Sequence, residues 1–236
     1  MTTSGTTTFN LDLNNLIEEA FERCGAELRT GYDMRTARRS LNLLTIEWAN
    51  KGINLWTIEQ GSIAMVQGTT TYNLPVDTID LLDHVIRTGT GSNQTDINIT
   101  RISVDTYSTI PNKLAQGRPI QVWINRQSGA TEPTTGVTYP NINVWPCPDQ
   151  SNYYTFVYWR LRRIQDAGNG VNTQDIPFRM LPALVAGLAY YLSLKVPDAL
   201  NRVEMLKAMY DEAWQLAADE DREKASLRLA PRQMFF

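Results

Sequence analysis

The apolar residues of this chain change their spacing twice, and this change limits the folds that the chain can adopt. Residues 10–30 and 34–50 repeat apolar side chains every three or four positions, which predicts two amphipathic helices. Residues 54–164 alternate instead and are broken by glycine and proline, which predicts about six to eight strands. Helical spacing returns after residue 177. The predicted fold class is therefore α+β: N- and C-terminal helices form one bundle with an inserted β-rich domain, a sandwich or a barrel.

This order divides the chain into segments with different expected roles. Residues 1–9 are polar and rich in threonine, which is typical of a flexible arm. A helical hairpin is expected next, then the β-rich domain, then C-terminal helices that complete the bundle. Pro231 cannot continue the last helix smoothly, because it has no amide hydrogen and its ring clashes with the preceding turn. The predicted boundaries are 10–52 for the helical hairpin, 53–165 for the β-rich domain, 166–224 for the C-terminal helices and 225–236 for an extended C-terminal arm.

The N-terminal hairpin carries recognisable start and stop signals. Thr30 and Gly31 are expected to end the first helix, because glycine suits the left-handed cap position. Asp33 is expected to cap the second helix, which Gly52 would close. The second helix should turn five apolar residues inward: Ala37, Leu41, Leu44, Ile46 and Trp48.

The stretch MLPALVAGLAYYLSL, residues 180–194, is apolar on all sides. It is shorter than the roughly 20 residues that cross a bilayer, so a buried helix without membrane contact is predicted. Pro177 fits the first turn of this helix, and Pro182 either kinks it or marks its true start. A last helix is expected from Pro197 to about residue 224.

These two C-terminal helices carry more apolar surface than a thin helical layer can bury alone. Oligomers commonly bury such surface between subunits. We therefore expect side chains of 178–195 and 199–217 to contact neighbouring subunits or a partner. The candidates for this interface are Leu184, Leu188, Tyr191, Tyr210 and Trp214.

Composition excludes several classes of protein. With 42% hydrophobic and 20% charged residues, the chain is globular rather than disordered. A formal net charge of −3 disfavours tight nucleic-acid binding and suits a surface that DNA passes without sticking. Cys24 and Cys147 lie far apart and no secretory signal precedes them, so no disulfide is expected. The expected compartment is the cytosol, or a particle assembled there.

His84 is the only histidine and thus the one candidate for acid–base catalysis. No Ser-His-Asp, Cys-His or GxSxG arrangement accompanies it, so a histidine at a strand edge is the favoured interpretation. The stretch GTGSNQTD lacks the lysine of a phosphate-binding loop and predicts a hairpin turn. We expect no enzymatic activity, no metal ion and no cofactor.

Aromatic residues concentrate in the predicted β-rich domain, where they could stack on sugars or bases. Strand alternation in YYTFVYWR places three of them on one face: Tyr154, Phe156 and Tyr158. Because both faces are bulky, a packed sheet or a subunit contact is favoured over an open platform. Three basic residues overlap or follow this strand: Arg160, Arg162 and Arg163. We interpret them as a solvated rim, with a contact to DNA or an acidic partner as the alternative.

Three short motifs occur in order between the helical ends of the chain. They are Tyr-x-Leu-Pro at 72–75, Gly-Arg-Pro at 117–119, and WPCPD at 145–149 before a tyrosine-rich strand. Together with the flanking helices, across about residues 10–215, this order resembles the head–tail connector (adaptor) proteins of short-tailed bacteriophages. Members of that group are also called tail tubular protein A.

The resemblance implies a structural virion protein that works by shape and binding. It implies a ring of twelve copies, below the portal protein and above the tail nozzle protein, around the channel through which phage DNA passes without sequence-specific contact. Tail fibres are a further expected contact. Such a protein is assembled in the host cytoplasm and belongs to the neck of the virion.

The arm 225–236 is expected to become ordered when it docks on the portal protein. Its apolar side chains would be the anchors, and its arginines would pair with carboxylates or backbone carbonyls. Folding back onto the core of the same subunit is the alternative. The portal-binding candidates are Leu227, Arg228, Leu229, Pro231, Arg232, Met234, Phe235 and Phe236.

Two other functions fit parts of the sequence. A carbohydrate-binding module would use the tryptophans of the β-rich domain, and an oligonucleotide-binding β-barrel would use its aromatic residues. A module should remain a monomer, whereas a connector should form a ring, at least with its portal protein. Salt-dependent affinity for DNA would support the oligonucleotide-binding function.

Overall fold

The computed structural model describes residues 3–52, 55–126 and 139–221. It is 40% helical and 24% strand, which confirms the predicted α+β fold class. The chain divides into two compact units, here called the helical unit and the β unit. The helical unit comprises Met1–Trp56 and Ile164–Phe236, and the β unit comprises Thr57–Arg163.

Helices make up most of the helical unit. In chain order, the helices of the described residues are α1 (Leu13–Cys24), α2 (Gly31–Asn50), α3 (Val104–Ser108), α4 (Leu181–Ser193) and α5 (Val203–Glu220). The short α3 belongs to the β unit, and the other four build the helical unit. Single 3₁₀ segments lead into α4 and α5, at Phe178–Met180 and Pro197–Arg202.

The first helix is shorter than predicted. It ends before Gly25, which adopts the left-handed conformation with φ of 76° and closes the cap. Thr30 begins α2: its hydroxyl accepts a hydrogen bond from the amide of Asp33, and the Asp33 carboxylate accepts one from the amide of Thr30. The prediction that Thr30 and Gly31 end α1 is therefore wrong, because this reciprocal capping box starts a helix.

Helix α4 lies at the centre of the helical unit and packs against α1, α2 and α5. Ten of its 13 residues are buried, so the prediction of a buried helix is confirmed. A Cβ at Gly187 would lie only 2.9 Å from side-chain atoms of Leu44 and Tyr210, so glycine permits the close approach of three helices here. Pro182 lies in the first turn, where the missing amide hydrogen has no intrahelical acceptor. It therefore marks the true start of the helix.

Helix α2 buries four of the five residues that were predicted to face inward. Ile46 is the exception, with 49% of its surface exposed. Two residues along a helix correspond to a rotation of about 200°, so Ile46 points away from the face that Leu44 and Trp48 share. The prediction for Ile46 is wrong because it considered only that the side chain is apolar and ignored the position of Ile46 around the helix axis.

The β unit contains eight strands within the described residues. They are β1 (Ile58–Ala64), β2 (Thr71–Asn73), β3 (Thr78–Thr88), β4 (Thr95–Asn98), β5 (Thr100–Arg101), β6 (Gln121–Asn125), β7 (Asn141–Trp145) and β8 (Tyr154–Arg162). They form two four-stranded sheets, ordered β1-β8-β3-β4 and β2-β7-β6-β5. Neighbours are antiparallel except β5 and β6, which are parallel.

One apolar core receives side chains from both sheets, so the β unit is a sandwich. Tyr154, Phe156 and Tyr158 all point into this core, which confirms the predicted face of β8. Gly61 lies opposite Tyr158, and a Cβ at Gly61 would come within 2.4 Å of the tyrosine ring. The ring therefore covers the glycine, which is how β1 and β8 pack closely at this point.

Candidate docking surface

A groove of about 910 Å³ opens on the surface of the helical unit. It lies between the segment that precedes α1, the side of α1, and the beginning of α4. Its lining is mostly apolar. The lining residues are Thr7, Phe9, Leu11, Glu19, Arg23, Phe178, Leu181, Pro182 and Val185.

The start of α4 forms the floor and one wall of this groove. Leu181 and Val185 are one helical turn apart, and only 5% and 2% of their surfaces are exposed, so they form the floor. Phe178 belongs to the 3₁₀ segment just before them and is 75% exposed. Phe9, on the opposite side, is 77% exposed. Two aromatic rings thus stand open to solvent beside a buried apolar floor.

Helix α1 contributes the polar rim. Glu19 and Arg23 form an ion pair of 2.8 Å between residues one turn apart, and both are partly exposed. Arg23 also borders a second, smaller cleft of about 180 Å³ between α4 and α5. That cleft is lined by Arg23, Pro182, Ala186, Met209, Glu212, Ala213 and Leu216.

The two clefts share Arg23 and Pro182, so they form one continuous surface, here called the docking face. Its α5 side exposes 43% of Met209 and 67% of Leu216. Exposed apolar surface that is continuous and rimmed by charged residues is typical of a protein–protein interface. The docking face is therefore the strongest candidate for a binding site in the helical unit.

The end of α5 is fastened next to the groove. Asp221, the residue after α5, forms an ion pair with Arg179, and only 1% of the Asp221 side chain is exposed. Arg179 directly follows Phe178 of the groove wall. The chain therefore leaves the last described helix beside the groove.

A family model described as SU10 adaptor protein matches residues 12–232. The chain belongs to this family. It is thus a bacteriophage adaptor, and the family supports a structural role in the virion. A comparison with curated proteins finds no significant match.

Most of the predicted subunit-interface residues of the adaptor lie inside its own core. Leu184 and Leu188 are fully buried, and Tyr210 is 3% exposed. The four-helix arrangement buries them because α1, α2 and α5 surround α4, so the helical layer is thicker than the sequence suggested. These three side chains are therefore unavailable to a neighbour in this fold, and their predicted interface role is corrected.

Tyr191 and Trp214 keep part of their surface at the edge of that core. Tyr191 donates a hydrogen bond to the carboxylate of Glu47, and burial together with this carboxylate raises the tyrosine pKa. Trp214 packs against Trp48, and the Lys51 ammonium lies 4.5 Å from its ring centre. Both side chains therefore stabilise the subunit itself, and only their outer edges can meet a partner.

The predicted portal-binding residues lie outside the residues that the structure describes. This applies to Leu227, Arg228, Leu229, Pro231, Arg232, Met234, Phe235 and Phe236. The docking face, in contrast, was missed at the sequence level. Its signals were Phe9, a large apolar residue within a threonine-rich stretch, and Phe178, which sits outside the apolar run of α4.

The arginines of β8 form neither a solvated rim nor an open basic patch. Arg160 donates to Asp77 at 2.5 Å and to Glu59 at 2.7 Å, and Arg162 donates to Glu59 at 2.6 Å. Only 11% and 12% of the two arginine side chains are exposed. The hydrogen bond from Arg160 holds the pKa of Asp77 below its ordinary value. The acidic partner is thus internal, and only Arg163 fits the predicted rim.

Replacing Arg160 with methionine is expected to lower the free energy of unfolding by about 1–3 kcal/mol. The change keeps much of the aliphatic chain but leaves two carboxylates without this cation. The cost stays below that of a fully buried pair because Asp77 and Glu59 are 41% and 44% exposed. Urea unfolding measures it, with the exposed Arg163→Met as the matched control. Equal losses in the two variants would contradict the network.

His84 is not at a strand edge, as the sequence suggested. Strand β3 lies between β8 and β4, and the His84 ring stacks on Phe156 with 5.9 Å between ring centres. Only 8% of the residue is exposed, and burial lowers its pKa although the Asp83 charge opposes this effect. The edge assignment is wrong because period-two alternation shows the faces of a strand and not its place in the sheet.

Acidification should therefore destabilise the adaptor through His84. The unfolded chain takes up a proton near the ordinary histidine pKa of about 6.5, whereas the folded chain resists it. The unfolded state then binds more protons, so the free energy of unfolding falls as pH decreases from about 7 to 5.5, by on the order of 1 kcal/mol. Urea unfolding at several pH values measures this slope. Because His84 is the only histidine, His84→Phe should flatten it, and an unchanged slope would contradict the assignment.

Two tryptophans of the β unit, Trp123 and Trp145, make internal contacts. Trp123 stacks on Tyr107 with 5.3 Å between ring centres, and the Trp145 indole donates to the carbonyl of Asn112. Both cysteines are free and buried. Within the described ranges, no three His, Cys, Asp or Glu residues come together as a metal site would require. No helix in that same part of the chain is long and apolar enough to cross a membrane.

Proposed function

We propose that the adaptor forms a head–tail connector ring that joins the portal protein to the tail nozzle protein and lines the channel for DNA exit. The family match over residues 12–232 is the observation that carries this proposal. Twelve copies is the number that the resemblance to short-tailed phage connectors implies. The proposed role is one of binding and shape, without catalytic turnover.

The charge of the chain supports passage of DNA through such a ring. Its formal net charge is −3, which gives no broad attraction for the phosphate backbone. The arginines of β8 that could have bound phosphate are held by carboxylates of the same subunit. A channel built from such subunits would let DNA leave without tight binding.

The proposed portal contact uses the arm 225–236. Its apolar residues would be the anchors and its two arginines would supply directional hydrogen bonds. Lateral contacts between subunits would use exposed surface, including the outer edges of Tyr191 and Trp214. The tail nozzle and tail fibres are proposed to bind other surfaces of the same ring.

Mixing the adaptor with the portal protein of the same phage tests the proposal. Negative-stain electron microscopy and sedimentation should show a ring of adaptor subunits stacked on the portal ring. The adaptor alone and the portal alone are the controls. A compact adaptor monomer under all conditions, including with the portal present, would refute the connector ring.

A further inference from the structure

We propose that, in the free subunit, the apolar segment 222–236 occupies the docking face of its own chain. We call this arrangement the parked state. In it, the segment would be unavailable to a partner until a site that binds it more tightly competes with the docking face. The proposal concerns the isolated subunit and does not require the connector ring.

The docking face needs an apolar occupant. Its floor residues Leu181 and Val185 are buried. Phe9 and Phe178, which line the same groove, are 77% and 75% exposed. Moving an exposed aromatic side chain out of water is favourable, so both rings favour an apolar occupant. A groove of about 910 Å³ has room for several large side chains.

The segment 222–236 starts at the right place. Asp221 is held by Arg179, and Arg179 adjoins Phe178 in the groove wall. The side chain of Asp221 is almost fully buried, so the origin of the segment is fixed beside the groove. A tether this short gives an effective concentration on the order of millimolar, which favours the chain's own segment over that of another copy.

The composition and length of the segment match the docking face. Its first residues, Arg222 to Lys224, are charged, and its apolar residues follow: Leu227, Leu229, Met234, Phe235 and Phe236. An extended chain covers roughly 3.3–3.6 Å per residue, so the segment can reach on the order of 50 Å from Asp221. Both clefts, which adjoin the start of α4 and one side of α5, are within such a reach.

Charge on the rim favours the same occupant. The carboxylates of Glu19 and Glu212 border the two clefts. Arg228 and Arg232 are spaced between the apolar residues of the segment, where they can meet these carboxylates. Exposed pairs of this kind add little affinity, but they favour one register of the segment in the groove.

The parked state has a consequence for the portal contact proposed above. The same apolar residues would be withdrawn from solvent in the free subunit, which removes an aggregation hazard. Portal binding would then require the segment to leave the groove. The portal would have to bind it more tightly than the groove does, since a ligand shifts an equilibrium only by its difference in affinity.

Disulfide trapping in the full-length chain tests the proposal. The variant Thr7→Cys with Gln233→Cys places one thiol on the groove and one in the segment, and it spares the proposed anchors. Thr36→Cys with Gln233→Cys is the matched control, because Thr36 lines a separate cleft of the same unit. The native thiols are buried, and burial raises the pKa of Cys24 to about 11, so they should not interfere.

We expect an intramolecular disulfide in the groove pair to form at least roughly tenfold faster than in the control pair. Adding Phe178→Ser should slow it, whereas Tyr32→Ser should not, because Tyr32 is an aromatic residue outside the groove that is 67% exposed, against 75% for Phe178. Equal rates in the two pairs, or no effect of Phe178→Ser, would overturn the proposal. Disulfide-linked dimers would also overturn it, since they would place the segment on a second copy. None of these results depends on the portal, so the ring is tested separately.

Discussion

Replacing Trp48 with alanine is expected to lower the free energy of unfolding by about 3–5 kcal/mol. Trp48 is fully buried in the core of the helical unit. Its indole donates a hydrogen bond of 3.0 Å to the hydroxyl of Tyr210, and its ring lies 5.0 Å from that of Trp214. Alanine would leave a large cavity at the point where α2 and α5 meet, and it would remove the donor to a buried hydroxyl. Urea unfolding followed by far-ultraviolet circular dichroism measures the loss.

Two other substitutions serve as controls for Trp48. Leu43→Ala changes an apolar residue of the same helix that is 50% exposed, so its effect should stay within about 0.5–1 kcal/mol. Trp214→Ala should fall between the two, at roughly 1–3 kcal/mol, because part of that ring faces solvent. The order Trp48, Trp214, Leu43 follows burial. A Trp48 variant no less stable than the Leu43 variant would show that this core is not the one described.

The order of the elements could be predicted from the sequence because it depends on local periodicity. Helical spacing and strand alternation can each be read from a short stretch of consecutive residues, so the helical ends and the β-rich middle were both recognised. The capping box at Thr30 and Asp33 is equally local, yet it was assigned to the wrong helix end. Both Gly25 and Gly31 could close α1. Because Thr30 and Asp33 form the capping box that begins α2, Gly25 closes α1.

Features that depend on tertiary neighbours could not be predicted. The partners of Arg160 come from residues about 80 and 100 positions away, so no local pattern shows that its charge is neutralised. The burial of Leu184 and Leu188 depends on how many helices surround α4, which hydrophobicity alone does not give. The resemblance to phage connectors was confirmed at the level of an adaptor family, because it used the order of motifs along the whole chain.

The docking face illustrates the same limit at the candidate site. Phe9 and Phe178 are about 170 residues apart in sequence and line the same groove only because α1 packs against α4. Each of them alone is an ordinary exposed aromatic residue, which needs no functional explanation. Their meaning comes from the buried floor between them and from the fixed end of α5 next to them. A site of this kind is a property of the fold and not of a motif.

Removal of residues 226–236 is expected to abolish stable attachment to the portal protein while the adaptor still folds. Within the described residues, α1, α2, α4 and α5 bury the core of the helical unit against one another, so we expect their packing to survive the deletion. The deleted residues hold all of the proposed anchors, and a well-buried aromatic anchor contributes roughly 2 kcal/mol or more to an interface. In a ring, one weak contact from every subunit adds to the combined affinity for the portal protein. Removing that contact from all subunits therefore lowers the combined affinity much more than a single contact would. Co-sedimentation with the portal protein, beside circular dichroism of the truncated chain, measures both effects.

Full-length variants separate the anchors from the length of the arm. Phe235→Ser with Phe236→Ser should weaken portal attachment strongly, because it removes two aromatic anchors and keeps the backbone. Glu223→Ser with Lys224→Ser changes the same number of residues in the polar part of the segment and should leave attachment nearly unchanged. If the truncated adaptor binds the portal as well as the full chain, the docking arm is refuted. In that case residues 226–236 would serve the subunit's own docking face, and the portal contact would have to come from another surface of the fold.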